Sequence, residues 1–162
     1  MKNYKKVLDK ADQTESFSDV IIISEGSLDY DTVMTFAAPR TQGDITVKAV
    51  VSGDANLNLT GNLIIEKKGT NAQGFLKQSI LLLSKDARAK ATPKLEIKTD
   101  EVRASHSATV GQVDEEQLFY LMARGFSRQQ ALDLTVRSFL SEVVEKLSDE
   151  QETQLETALK SN

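Results

Sequence analysis

Between Asp19 and Gly111 the chain is a series of short apolar runs cut by Gly, Asn, Asp and other polar residues, and this spacing restricts the available folds more than any other feature. The runs begin near Val20, Val33, Val47, Leu63, Ile80, Leu95 and Ala108, at an uneven but recurring interval. No long helical period fits the region. β-Branched residues crowd "DVIIIS", "DITVKAVV" and "GNLIIE", and their stiff side chains favour extended backbone. Two architectures give such a pattern. An antiparallel sandwich or barrel carries turn signals at intervals of roughly 8–12 residues. A parallel β-solenoid stacks each short strand on its equivalent in the next coil and favours continuous aliphatic runs such as "ILLLS" and "LEI". The spacing is long for hairpins and irregular for a perfect solenoid, and the pattern leans only modestly to the solenoid.

After Gly111 the grammar changes. "DEEQ" at Asp114 reads as an N-terminal capping box, in which the first side chain accepts from the first helical turn and the fourth reaches back. A short helix through "LFYLMAR" follows, and Gly125 suits the left-handed residue just past its end. "SRQQ" at Ser127 and "SDEQ" at Ser148 are two more boxes. Between them Leu132, Val136, Phe139, Leu140, Val143 and Leu147 form one apolar stripe at helical period. The tail carries Glu142, Glu145, Asp149, Glu150, Glu152 and Glu156, read first as a solvated face and second as a docking surface for a basic partner. Three segments follow: a polar N-terminal segment over residues 1–17, a β region over 18–112 and a helical segment over 113–162.

Composition removes several functions. There is no cysteine and one histidine, His106, so disulfides, thiolate metal sites and multi-histidine zinc sites made by this chain alone are excluded. The net charge of −4 gives no drive toward nucleic acid or anionic membrane. The basic residues of "SKDARAKATPKLEIKTDEVR" are interspersed with acidic ones and lack the aromatic rings that single-strand binding uses. The longest aliphatic runs, Val20–Ile23 and Ile80–Leu83, are far too short to span a bilayer, and the N-terminus lacks a signal-peptide apolar core, so the expected compartment is the cytoplasm. Carboxylates at Asp29 and Asp31, and at Asp100 and Glu101, keep a carbohydrate-active β-helix enzyme as an alternative, although adjacent strand residues point to opposite faces.

The stretch from Leu81 to Leu147, "LLLSKDARAKATPKLEIKTDEVRASHSATVGQVDEEQLFYLMARGFSRQQALDLTVRSFLSEVVEKL", closely resembles the SufB/SufD family of the SUF iron–sulfur cluster assembly system. The family's ordered blocks are visible: "LLLS", "P.LEI", "SHG.T.G", "QLFYL..RG" and the helix after it. The resemblance implies a mainly β protein with C-terminal α structure, a right-handed parallel β-helix capped by a small helical segment. It implies a non-enzymatic SufD-like subunit that pairs with a SufB-like or identical β-helical chain, as a dimer. It also implies docking of a SufC-like ABC-type ATPase through the C-terminal helices. On that reading His106 supplies one ligand or a proton-handling group to a transient iron–sulfur cluster shared with a partner's cysteine, and no cofactor is bound by this chain alone. Arg124, Arg128, Leu132, Val136, Arg137 and Phe139 are the candidate ATPase-docking residues. Family chains are much longer, so the sequence reads as a short form or a fragment. It departs at Ser107, where the family has glycine, and a serine there is expected to strain a turn or narrow access to His106. A relative that kept the fold and pairing but lost cluster chemistry is the second alternative.

Overall fold

The computed structural model describes residues 2–143 and 147–160. Eight strands form the first part of the chain: β1 (Lys2–Leu8), β2 (Thr14–Ile23), β3 (Ser27–Phe36), β4 (Gln42–Val51), β5 (Asn56–Ile65), β6 (Gln73–Leu82), β7 (Arg88–Ile97) and β8 (Arg103–Gln112). They pair in parallel into two four-stranded sheets, β1-β3-β5-β7 and β2-β4-β6-β8. Each coil gives one strand to each sheet, and paired residues lie one full coil apart along the chain, as for Lys2 with Tyr30 and Asn56 with Arg88. The architecture is a parallel β-helix, and the sandwich alternative falls because every strand pairing among the described residues is parallel.

The repeat is built from columns. Ile45 stacks on Leu76, Val47 on Gln78 and Ala49 on Ile80, all facing inward. Across the core Leu57, Leu59, Leu63 and Ile65 of β5 line the other sheet. The interior is narrow enough that glycine is required beside its largest ring. A Cβ on Gly74 would lie 2.9 Å from the Phe36 ring and 3.2 Å from Leu63, and one on Gly43 would strike Met34 and Phe36. Gly43 and Gly74 are partners on adjacent strands, so together they form the bed on which Phe36 lies.

Corners repeat as well. Asp12, Arg40 and Asn71 all take positive φ at one corner, at 63°, 57° and 59°. Asp and Asn tolerate that region, but Arg40 is an unusual occupant. Its guanidinium grips both oxygens of Asp12 at 2.7 and 2.8 Å, and its backbone N–H donates to the Thr70 carbonyl at 2.8 Å.

The N-terminal stretch through Phe17 is not a separate polar segment. It forms β1 and the beginning of β2 in the first coil, where Leu8 is fully buried and Tyr4 stacks on Phe17 with ring centroids 3.6 Å apart. Lys5 and Lys6 dilute the apolar pattern because this strand lies at the edge of its sheet and exposes one side.

Three helices follow: α1 (Glu115–Ala123), α2 (Arg128–Leu140) and α3 (Asp149–Lys160). Ser127 and Ser148 form reciprocal boxes with Gln130 and Gln151, whereas Asp114 caps α1 from one side only, accepting from Glu116 and Gln117. Gly125 takes φ of 100° just beyond α1. The helices cap the solenoid along its flank. Val20, Ile22 and Val50, on the outer face of the β2-β4-β6-β8 sheet, join Leu132, Val136, Leu140, Leu155 and Leu159 in a second core. Burying each such aliphatic side chain contributes about 1.5–3 kcal/mol, which holds the segment in place. Gln151 adds an amide hydrogen bond to the Val20 carbonyl at 2.6 Å.

Gly74→Val should lower unfolding free energy by about 1–3 kcal/mol, read as a lower urea midpoint, because the added carbons have only Phe36 and Leu63 to displace.

Candidate functional site

His106 lies in the middle of β8, the last strand of its sheet. Its register places it on the inward column Phe17, Ile45, Leu76, His106. Three apolar residues are followed by an imidazole at the coil that has no further strand beside it. Leu76 is 1% exposed, yet His106 is exposed because no residue among those described stacks above it. Its neighbours on the same face of β8 are the small Ala104 and Ala108, and β7 turns Ala91, Pro93 and Leu95 toward the same interior. Val110 and Ile97 complete an open apolar floor at 43% and 45% exposure. One coil below Ala108, Gln78 is fully buried, and neither of its amide atoms finds a partner among the described residues.

Ser107 sits in the strand with its side chain on the opposite face from His106, and it is not among the residues of positive φ. The expected strained turn is absent there, since the position is extended strand that any residue adopts. Asp100 and Glu101 occupy the turn between β7 and β8. Among the described residues no three His, Asp or Glu side chains converge as a metal cage.

The candidate docking residues divide sharply. Leu132 and Val136 are 4% and 0% exposed in the second core, so neither has surface to offer a partner. Phe139 is partly buried, with the Lys48 ammonium 5.2 Å from its ring centroid. Arg128 is engaged by both oxygens of Glu115 at 2.9 Å, and Arg137 by Asp133 at 3.0 Å and Glu152 at 3.4 Å. Arg124 is exposed and lies over the Tyr120 ring at 4.7 Å, donating to its hydroxyl at 2.6 Å.

The apolar surface of the helical segment lies one helix earlier than expected. On α1, Leu118 is buried, while Phe119, Tyr120 and Met122 are 72%, 56% and 41% exposed. Phe126 adds a further 42%-exposed ring just past the helix. The signal was present in "LFYLM": an unbroken apolar run exceeds what one face of so short a helix can bury.

The end of α2 is fastened to the solenoid by charge. Lys48, 8% exposed, donates to the Phe139 carbonyl at 2.6 Å, and Lys48 and Lys77 reach the same Glu142 oxygen at 3.2 and 2.7 Å. Hydrogen bonds from Lys77 and then Lys48 hold the Glu142 carboxyl below the usual range for glutamate. In the acidic tail, Glu142, Glu152 and Glu156 are thus paired with cations of the chain itself, and Glu145 lies outside the described residues. Among the described residues no helix is long and apolar enough to cross a membrane.

A family model described as the SUF system FeS cluster assembly SufBD core domain matches residues 1–139. The chain is 36% identical over 103 residues to the iron–sulfur cluster assembly protein SufD of Escherichia coli, an alignment covering 64% of this chain and 24% of that protein. It is 35% identical over 120 residues to an iron–sulfur cluster assembly SufBD family protein of Mycobacterium leprae, covering 69% and 31%. It is 32% identical over 122 residues to a SufBD family protein of Mycobacterium tuberculosis, covering 75% and 14%. The chain therefore spans less than a third of the length of these relatives.

A carboxylate whose folded pKa is depressed stabilises above its unfolded pKa and loses that contribution as pH falls through the folded value. Thermal unfolding followed between neutral pH and about pH 3 should show less acid destabilisation in Glu142→Gln than in the parent, because the glutamine keeps the shape and removes the titration.

Proposed function

The chain belongs to the SufBD family of the SUF iron–sulfur cluster assembly system, and on that premise we propose that it is a non-catalytic, SufD-like subunit of a cluster-assembly complex. The observation that carries the reading is the placement of His106: an inward-column imidazole on the terminal coil, exposed among small apolar side chains. Iron bound to sulfide is held by soft thiolates, and imidazole serves as a harder additional ligand. A chain without cysteine contributes the imidazole and leaves the thiolate to a second β-helical chain seated against the last coil. The cluster is then cargo formed between two subunits. The apolar floor around the ring excludes water from the contact once the second chain is seated.

The second contact is with an ABC-type ATPase, through α1 in place of the buried stripe of α2. Phe119, Tyr120 and Phe126 offer apolar area at low side-chain entropy and Met122 an adaptable thioether, with the stacked Arg124 as a polar fixture beside them. Exposed aromatic groups of this kind, next to arginine, have the composition of interface centres. The buried α2 and α3 hold α1 against the solenoid, so motion of the ATPase would be passed to the coils through the second core.

Reconstitution with a cysteine-bearing SufB-like chain, iron and sulfide tests the first contact. Visible absorption of the assembled cluster should fall severalfold in His106→Ala while heterodimer formation is kept, and undiminished absorption would remove the imidazole from the site. For the second contact, Phe119→Asp should weaken ATPase binding by about tenfold or more in calorimetric titration without lowering the melting temperature. Leu132→Ala should instead destabilise the fold by about 2–5 kcal/mol. Equal ATPase binding by Phe119→Asp and the parent would place the docking surface elsewhere.

A further inference from the structure

Gln78 stands inside the solenoid on the third of its four coils, in a column with Val47 below and Ala108 above. It is fully buried, and neither atom of its amide has a hydrogen-bond partner among the described residues. The opposite sheet makes room for it with a glycine. A Cβ on Gly61 would lie 2.7 Å from Gln78 Nε2 and 2.8 Å from a Leu76 methyl, so the amide crosses the core beside Leu76. Leu76 is the residue directly beneath His106. An apolar side chain of the same shape would fill this space without leaving a donor and an acceptor unsatisfied, so the glutamine calls for a partner.

The candidates are few. In the columns that flank and face Gln78, from the second coil to the fourth, only Tyr30, Thr32 and His106 are polar. The Tyr30 hydroxyl donates to Asp19, and the Thr32 hydroxyl donates to the Thr60 carbonyl at 3.4 Å. His106 remains, on the neighbouring strand and one column over. A step of about 4.8 Å across the strands and about 6.6 Å along them sets the two Cβ atoms about 8 Å apart, a diagonal that long and aromatic side chains bridge. Directly above Gln78 lies only the methyl group of Ala108, which is itself exposed. The charged residues of β6, β7 and β8 all occupy outward positions, so none of them competes for the ring on this face.

We propose that Gln78 is a positioning residue for His106. The ring turns down over Ala108, and one of its N–H groups donates to the Gln78 amide oxygen. The imidazole is then held in a single tautomer, with its other nitrogen unprotonated and turned to the open end of the solenoid. A histidine that ligates metal uses its remaining N–H in this manner, and the bond fixes the ring's orientation and raises its basicity as a ligand. The amide goes unsatisfied only while the ring stands out in solvent. The positioning role deepens the reading of His106 as a ligand and rests on it, whereas the hydrogen bond stands independently of that reading.

Because His106 is the only histidine, the full chain without metal gives a single set of imidazole signals in nuclear magnetic resonance. At about pH 9, where the ring is neutral, the parent should show a slowly exchanging, downfield ring N–H proton and one dominant tautomer. Both should be lost in Gln78→Met, which keeps the volume and removes the acceptor. They should also be lost in Ala108→Val, which blocks the approach and leaves both groups in place. A ring N–H that exchanges as fast in the parent as in free histidine, as it would if a buried water served the amide, overturns the bond, and so does a signal that survives Gln78→Met. At the same pH, His106→Ala should lower the melting temperature of the parent by about 2–4 °C and that of Gln78→Met by clearly less, and equal losses would also count against the bond. In reconstitution with a cysteine-bearing partner, Gln78→Met should lower cluster absorption severalfold, toward the level of His106→Ala. A loss in His106→Ala with none in Gln78→Met overturns the positioning role alone. No loss in His106→Ala overturns the positioning role together with the ligand role, while the ring N–H signal still decides the hydrogen bond.

Discussion

A parallel strand can satisfy its backbone only against another strand, and in this protein that partner is always one coil away along the chain, as Tyr30 is from Lys2 and Arg88 from Asn56. Everything else follows from this ladder. It forces identical faces into columns, so whatever occupies an inward position on one coil rests on its equivalent in the next. Interior columns are closed by their neighbours. The terminal column is not closed within the chain, and that is why an imidazole at position 106 stands in the open while Leu76, directly beneath it, is sealed. The same ladder leaves β7 and β8 as the last strands of their sheets, with backbone groups on one side unpaired by a further strand.

Much of the fold is readable from residue order. The spacing of "DITVKAVV", "GNLIIE" and "ILLLS" marks the strands of the middle coils, because those strands are paired on both edges, line the core and are dense in apolar residues. The change to helix after Gly111 is written in the capping residues, and Ser127 and Ser148 do what their spacing implies. The first coil was harder to read. Tyr4 and Leu8 face the core on a strand rich in lysine, and two inward residues do not make a pattern.

The site was legible in part. The position of His106 near the transition from sheet to helix was visible, but its inward column depends on register across successive coils, which no local pattern encodes. For exposed apolar area the periodic stripe of α2 is a poor guide, because an amphipathic stripe identifies a face that wants burial without saying what buries it. Here the sheet does, through Val20, Ile22 and Val50. The unperiodic apolar run of α1 marks the exposed apolar area, since a short helix that is apolar on several sides must leave some of them uncovered.

The flank-mounted helices have a further consequence for how such a chain can vary in length. Their footprint reaches from β6 back to β2, where Gln151 bonds to Val20 and α3 rests on Ile22. A coil added before β1 would leave this seat untouched. A coil deleted at that end would remove the floor from under α3, so the helical segment works as a ruler that sets the smallest number of turns the molecule can keep.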